Sequence, residues 1–489
     1  MGLNFPFKRA PRDHQRRTFN ESAEALNWAV LAEQGTGKTK ITLDTASYLY
    51  GNGKIDLLVI VAPKGVHRNW ITREVPEDVP DELQPMCSYW HIKKKSVNGA
   101  LVMPEDLFQI HHGMKVFAIN YESVISTEGE KFIKRLLNAH RTMLVADEAH
   151  WVKTPGAKRT KKLRTLGKHQ NVKYKRILTG TPLTNGAMDL YSQYAFLDPE
   201  IIGHSTYTSY KNHFAMWQSV KNRKGQRFEK LLCYRNLDQL IEKIKPVSTR
   251  IRKEDCLDLP DKIYMPPREV ELNAKQRRIY NQLRDDLVAE IEDSTPEQLI
   301  MAAIQGDGSN YIKANNVLTQ MLRWQQVVGG FATADDGSMT FLGSPKLDVC
   351  KDIVDNTDES VIIWAHYQPE LEMLFETFKD RAVRYWGDVP DDEREDAIDQ
   401  FQRGEKQVFI ANRAACTGIT LTKATLNIYY TNTFDASVRW QSEDRSHRIG
   451  QHNKVSYVDL IATNTLDEKI IAALDAKRGL ADNVLSHLE

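Results

Sequence analysis

Two short strings hold the residues best suited to chemistry. AEQGTGKT (Ala32–Thr39) sets Gly35 and Gly37 on either side of Thr36 and ends on Lys38 and Thr39. Glycines let successive backbone N–H groups turn inward on phosphate oxygens, a lysine reaches the β- and γ-phosphates, and a hydroxyl serves a magnesium ion. Ala32 stands where the consensus has its first glycine, so the strict pattern fails by one residue while GTGKT is intact. The second string, LVADEAH (Leu144–His150), ends an apolar run on two carboxylates. Asp147 is placed to hold Mg²⁺ and Glu148 to take a proton from an attacking water. Alone, such a pair could be an ordinary acidic strand end. Downstream of a phosphate loop, Lys38, Thr39, Asp147 and Glu148 read as a metal-assisted phosphoryl-transfer set.

A third string lies near the C-terminus. In QSEDRSHRIGQ (Gln441–Gln451), Gln441, Arg445 and Arg448 stand at i, i+4 and i+7, so a helix would present all three on one face, with Gly450 as its left-handed stop. The phosphate loop supplies one cationic side chain, and charge developing on a transferred phosphoryl group needs a second donor. A planar guanidinium suits phosphate oxygens. Arg448 is therefore expected to be an arginine finger, with Arg445 its neighbour on the phosphates or on Glu148. Such a donor on a different lobe would make hydrolysis conditional on closure.

These strings must be positioned by strands. Near-continuous apolar runs, the pattern of strands buried on both faces of a parallel sheet, occur at LLVIVAP (Leu57–Pro63), KVFAIN (Lys115–Asn120), Thr142–His150 and YKRILTGTP (Tyr174–Pro182). They recur at SVIIWAHY (Ser360–Tyr367), RAVRYWG (Arg381–Gly387), QVFIAN (Gln407–Asn412), TLNIYYTN (Thr425–Asn432) and VSYVDLIA (Val455–Ala462). Strand–helix alternation in both parts predicts an α/β fold of two lobes. EALNWAVL before the phosphate loop and KITLDTASYLY after it fit a strand and a helix. The expected domains are 1–201, a lobe holding the phosphate loop; 202–342, helical insertions and linker; and 343–489, a second lobe. In the middle part, Ala274–Ser294 has helical spacing, FATADDGSMTFL (Phe331–Leu342) reads as a hairpin around Asp335–Ser338, and three prolines in DLPDKIYMPP (Asp258–Pro267) break regular structure.

Composition excludes several classes. In 489 residues, Lys+Arg 66 against Asp+Glu 65 leaves a net charge of +1, so any nucleic-acid binding must use a local basic cleft rather than a global excess. Five scattered cysteines without a C-x-x-C pair argue against a disulfide framework or structural zinc, and for a reducing compartment. The start has no apolar signal region and no run approaches the ~20 residues needed to cross a bilayer. The expectation is a cytoplasmic protein without membrane association.

Taken in order, these strings make the chain resemble the Swi/Snf-like branch of superfamily 2 DEAH-box helicases and DNA translocases, nearly end to end. RDHQRRTFNES resembles that family's adenine-contacting segment, with Gln15 as the base-reading amide. VIVAPKGVHRNW resembles the segment touching the DNA backbone, which implies contacts from Pro63, Arg68 and Asn69. DEAHWVKTP carries the usual Lys153, LTGTPLTNGAMDLYSQYAFLDP is close to verbatim for the segment coupling nucleotide state to DNA through Thr181, and ACTGITLT implies Thr417 and Gly418 on the tracking strand. RIRKEDCLDLPDK, LTQMLRWQQVVGGF and QSEDRSHRIGQ match stretches particular to this branch, and NTLDEKIIAALDAKRGL resembles its helical brace. Departures are Phe434, Asp435 and Ala436 where Trp-Asn-Pro is common, and Ile419 and Thr420 in place of Leu-Asn.

The resemblance implies two RecA-like parallel-sheet lobes of the P-loop NTPase type with helical insertions between them. ATP is the implied substrate and Mg²⁺ its cofactor, with Gly35, Thr36, Gly37, Lys38, Thr39, Gln15 and Gln441 on the nucleotide. It further implies a monomeric ATPase that moves along duplex or branched DNA by sequence-independent backbone contacts, displacing bound proteins or reannealing strands. The lean chain fits a prokaryotic or phage-type core. Two alternatives stay open, a strand-separating DNA or RNA helicase and a remodeller of a protein target such as RNA polymerase. Candidate basic tracks are Gly156–Lys168, HRNW, KYKR (Lys173–Arg176), KNRKGQR (Lys221–Arg227) and IKKK (Ile92–Lys95).

Overall fold

The computed structural model describes residues 3–92, 101–109, 111–221, 227–290, 311–334 and 337–488. The chain divides into two compact units, one of residues 1–215, 234–257 and 480–489, the other of residues 216–233 and 258–479. In the first unit, β1 (Asn27–Ala32), β2 (Leu57–Ala62), β3 (Met86–Tyr89), β4 (Lys115–Asn120), β5 (Thr142–Asp147) and β6 (Val172–Leu178) lie in one sheet. β7 (Ala215–Lys221) and β8 (Arg227–Tyr234), which fall almost wholly in the second unit, pair with each other, and β9 (Ser248–Ile251) belongs to the first sheet as its outermost strand beside β1. The order is β3-β4-β2-β5-β6-β1-β9, and every pairing is parallel.

Every residue of β2, β4 and β5 is buried, which explains why their sequences are apolar without alternation. Leu178 of β6 is in register with Val30 on one side and Asp147 on the other, so the strands that carry the phosphate loop and the carboxylates end at one level. In open parallel sheets, ligands gather outside the carboxyl ends of the strands.

The second unit holds β10 (Lys262–Tyr264), β11 (Arg268–Val270), the antiparallel hairpin β12 (Phe331–Thr333) and β13 (Met339–Phe341), then β14 (Val361–Trp364), β15 (Ala382–Tyr385), β16 (Val408–Ala411), β17 (Leu426–Tyr429) and β18 (Val455–Ala462). Its main sheet runs β10-β18-β17-β14-β16-β15, all parallel, with β11 also on β18. Each of the five apolar runs read in this part of the sequence contains one of β14 to β18.

Two expectations need amendment. The stretch 202–342 is not one body: β9 joins the first sheet, and β10 and β11 join the second. The proline-flanked linker is not devoid of regular structure, because Lys262–Tyr264 pairs with Val455–Tyr457 between its prolines. The helix read over Ala274–Ser294 is seen from Ala274 to Glu290, and Ile291–Ser294 lie outside the described residues, as do Asp335 and Asp336 of the hairpin turn. Among the described residues no helix is long and apolar enough to cross a membrane.

Candidate active site

The phosphate loop is shaped by backbone rules. β1 delivers the chain to Glu33, after which Gly35 (φ +86°) and Gly37 (φ +95°) take left-handed conformations that other residues seldom adopt. α1 (Asp13–Ser22) precedes the loop in the chain, and α2 (Lys38–Gly51) starts directly after it, directing unsatisfied N–H groups at any anion held there. Thr36 is buried and its hydroxyl donates to the Glu33 carbonyl at 2.8 Å. Lys38 Nζ donates to the Ala32 carbonyl at 2.9 Å and stands 3.9 Å from Glu148 Oε1. Thr39 is half-buried in the first turn of α2.

The carboxylates sit at the end of β5. Asp147 Oδ2 accepts from Trp70 Nε1 at 2.8 Å, Asp147 Oδ1 from the Glu148 N–H at 3.0 Å, and the Asp147 carbonyl from Tyr121 Oη at 2.7 Å. Glu148 itself has φ +51°, an uncommon backbone conformation for a residue other than glycine, and begins a tight turn at Ala149–Val152. Burial, then the adjacent Glu148 charge, raise the Asp147 carboxyl above the usual carboxylate range, against opposing donation from Trp70. Two neighbouring buried carboxylates facing one ammonium make a place that favours a further cation. Oxygen donors on Asp147 and Thr39 suit a hard ion such as Mg²⁺, which takes one or two protein ligands and fills the rest of its shell with phosphate and water. No group of three or more His, Cys, Asp or Glu side chains that could hold a metal occurs among the described residues.

Residues beyond those read from sequence complete this first-unit site. His150 Nδ1 lies 3.3 Å from Glu148 Oε2 and within 3.4 and 3.5 Å of the Thr179 and Thr181 hydroxyls. It thus links the carboxylate to the LTGTP segment. Trp70 lies in a π-helical turn, Trp70–Glu74, a geometry frequent at functional sites. Both were visible as the last residues of DEAH and HRNW. Their partners were not, because the contacts join segments far apart in the chain.

Gln15 lies against the phosphate loop. Its amide nitrogen donates to the Thr36 carbonyl at 3.2 Å and its oxygen accepts from Arg12 N–H at 3.0 Å, so it braces the loop's apex. His14 Nε2 meets the same carbonyl at 2.8 Å. A Cβ at Gly37 would come 2.1 Å from Gln15 Nε2. Gly37→Ala should therefore weaken ATP binding by about tenfold or more. It also places an L-residue in a left-handed conformation, at about 1–2 kcal/mol. Titration with a fluorescent ATP analogue and a thermal melt check both effects.

Expected nucleic-acid residues are variously placed. In the first unit Pro63 is buried, Arg68 exposed and Asn69 half-buried, just beyond β2. Lys153 Nζ is engaged by the Thr184 hydroxyl and stands 4.0 Å from Asp189, so its charge is already directed inward. Thr181 is half-buried. Lys158, Lys161 and Lys168 are exposed along Lys158–Gly167 and just past it, whereas Arg176 of KYKR is buried and donates to the Ser22 and Leu26 carbonyls. Arg176 is thus removed from the basic track, since β6 turns it into the core. Lys93–Lys95 and Asn222–Gln226 lie outside the described residues.

In the second unit, the helix Ala436–Ser446 carries Gln441 and Arg445, both buried. It ends before Arg448, contrary to the expectation of one helical face for all three residues. The last carbonyls find partners elsewhere: Arg445 O accepts from Leu421 N–H at 3.0 Å and Glu443 O from Tyr457 Oη at 3.0 Å, while His447 Nε2 meets the Pro260 carbonyl at 2.7 Å. Gly450 is left-handed, at φ +97°. Arg445 Nη1 and Arg448 Nη1 nonetheless converge on one acceptor, the Ile419 carbonyl, at 3.1 and 3.0 Å. Thr417 is half-buried and Gly418 exposed just before it.

Glu443 anchors this helix. Its carboxylate accepts from Arg478 Nη2 at 2.7 Å, Arg439 Nε at 3.0 Å and Tyr264 Oη at 2.8 Å, with Lys262 Nζ at 3.6 Å. Burial alone would raise its pKa, but the charges of Lys262, Arg478 and Arg439 prevail and lower it from 4.5 to about 2. A carboxyl depressed in this way contributes stability above its unfolded pKa, and that stability is lost as pH falls from about 4.5 through about 2. Glu443→Gln should destabilise this unit by about 3–5 kcal/mol and flatten its acid limb in that window, as followed by calorimetry against pH.

Residues 22–328 match the SNF2-related domain family, and residues 345–450 match the helicase conserved C-terminal domain family. The mouse SWI/SNF-related matrix-associated actin-dependent regulator of chromatin subfamily A member 1 is 27% identical over 500 residues, covering 97% of this chain and 43% of that protein. The bovine DNA annealing helicase and endonuclease ZRANB3 is 26% identical over 470 residues, covering 94% and 39%. The chain thus spans about two fifths of the length of these curated relatives. A solved structure of the Sulfolobus solfataricus SWI2/SNF2 ATPase core in complex with dsDNA is 22% identical, covers 99% of this chain and 95% of its own, and has a TM-score of 0.42.

Proposed function

The chain belongs to the SNF2-related family, helicase-like and nucleic-acid-dependent ATPases of superfamily 2, and from that membership we propose an ATP-driven motor that moves along duplex DNA. The observation that carries the reading is the meeting of Lys38, Asp147 and Glu148 just past the carboxyl ends of β1 and β5, the two parallel strands that flank β6, with Lys38 3.9 Å from Glu148. On binding ATP, Lys38 exchanges the Ala32 carbonyl for a phosphate oxygen, and the N–H groups of the glycine loop and of α2 receive the others. Glu148, oriented by His150, takes the proton of the attacking water. Asp147 and Thr39 would hold Mg²⁺, which when bound would neutralise charge on the phosphates. Arg448, with Arg445 beside it, supplies the second cationic donor that the loop lacks.

The finer activity proposed is displacement of proteins from DNA or reannealing of branched DNA, without sustained strand separation. The relative named as a DNA annealing helicase supports it. ATP hydrolysis should rise most with duplex or branched DNA, compared side by side with single strands and RNA. Triplex displacement should occur without release of strands from a forked duplex. Hydrolysis indifferent to every nucleic acid would overturn the motor, and strand release without triplex displacement would favour an unwinding helicase.

A further inference from the structure

The segment that leaves the first unit begins on the phosphate loop. β9 pairs with β1 from Ala29↔Ser248 to Ala32↔Ile251, which brings Arg250 and Lys253 level with the point where the strand becomes the loop. Glu33 is where they meet. Its N–H donates to the Ile251 carbonyl at 3.0 Å and its own carbonyl accepts the Thr36 hydroxyl at 2.8 Å. One carboxylate oxygen accepts from Arg250 Nη2 at 3.1 Å and the other from the Lys253 N–H at 3.0 Å. Arg250 Nη1 donates in addition to the Leu31 carbonyl at 3.2 Å.

The arrangement is shielded on its arginine side, while the Glu33 side chain is 32% exposed. The Arg250 side chain is 7% exposed, against the weak, solvent-screened character of an open surface pair. A fork on a carboxylate and a carbonyl fixes direction as well as distance. What it fixes is Leu31 to Glu33, and between them Ala32 offers the carbonyl on which Lys38 Nζ rests. Through Glu33 O it also fixes Thr36. Neither Glu33 nor Arg250 belongs to the phosphate-gripping GTGKT, so any effect on the nucleotide is exerted through these neighbours.

We propose that Glu33 and Arg250 are positioning residues for ATP: their clasp sets the geometry of the phosphate loop and ties it to the segment Arg252–Leu257, which continues into the second unit at Asp258. Strain on that segment is then felt as a change in phosphate grip. The inference rests on the reading of the loop as an ATP site.

Glu33→Gln replaces one acceptor oxygen by an NH₂ that must face a donor, and Arg250→Lys keeps the charge but loses the fork. In the full chain, each should raise KM for ATP by about tenfold, with kcat within about threefold and the thermal midpoint near that of the wild type. Partners in one contact are non-additive, so the double variant should be no worse than the weaker-binding single one. Unchanged KM with a lowered midpoint, or single effects that multiply in the double variant, would overturn the clasp. If Glu33→Gln does not fold, Arg250→Lys alone decides between these results. Wild-type protein unable to bind an ATP analogue would instead overturn the ATP site itself, whereas tight binding equal in wild type and both variants would overturn the clasp alone.

Discussion

Arg448→Ala is expected to lower ATP turnover by about 10³-fold or more, the scale of a lost arginine finger, while ATP binding stays within a few-fold of wild type. The two arginines are separable by their surroundings. Arg445 is buried and donates from Nε to the Gln441 carbonyl at 3.0 Å as well as to Ile419, so it is built into the unit. Arg448 lies past the helix end and is half-buried, with more of its side chain open to an anion. Arg445→Ala should therefore lower the thermal midpoint, and Arg448→Ala should not. Arg448→Lys should be nearly as slow as the alanine variant, because a point charge does not replace a planar fork. Single-turnover hydrolysis of prebound ATP measures the step directly. Near-normal turnover in Arg448→Ala would remove it from this role.

Glu148→Gln carries the second large effect. The amide keeps the shape but cannot take a proton, and loss of a general base typically lowers rate by about 10²–10⁴-fold. ATP should still bind, since Lys38 and the loop amides are untouched. The structure adds a graded comparison: His150 lies beside Glu148 and the two threonines of LTGTP, so His150→Ala should slow turnover less than Glu148→Gln and should blunt the stimulation by DNA. If Glu148→Gln hydrolyses ATP at the wild-type rate, another group takes the proton.

Much of the fold was legible because long buried strands write their burial into sequence. LLVIVA, KVFAIN and TMLVAD need no partner to be recognised. The short strands were not legible. STRI, KIY and REV hold three or four residues each, too few for a period, and they exist because a distant strand accepts them, β1 for the first and β18 for the others. The same physics governs the site. Local grammar announces GTGKT and DEAH, so the meeting of Lys38 with Glu148 could be anticipated. The end of the helix at Ser446 could not, because its carbonyls are satisfied by Leu421 and Tyr457, and the inward turns of Gln15, Lys153 and Arg176 likewise depend on partners far along the chain.

The shared acceptor at Ile419 bears on how easily an arginine departs. A carbonyl oxygen has two lone pairs, so both guanidiniums can lean on it at rest. Were Arg448 to swing toward an incoming anion, as proposed, the Ile419 carbonyl would keep Arg445 as its donor. Residue 419 would thus serve as a berth with a permanent tenant, which the second occupant could leave and to which it could return.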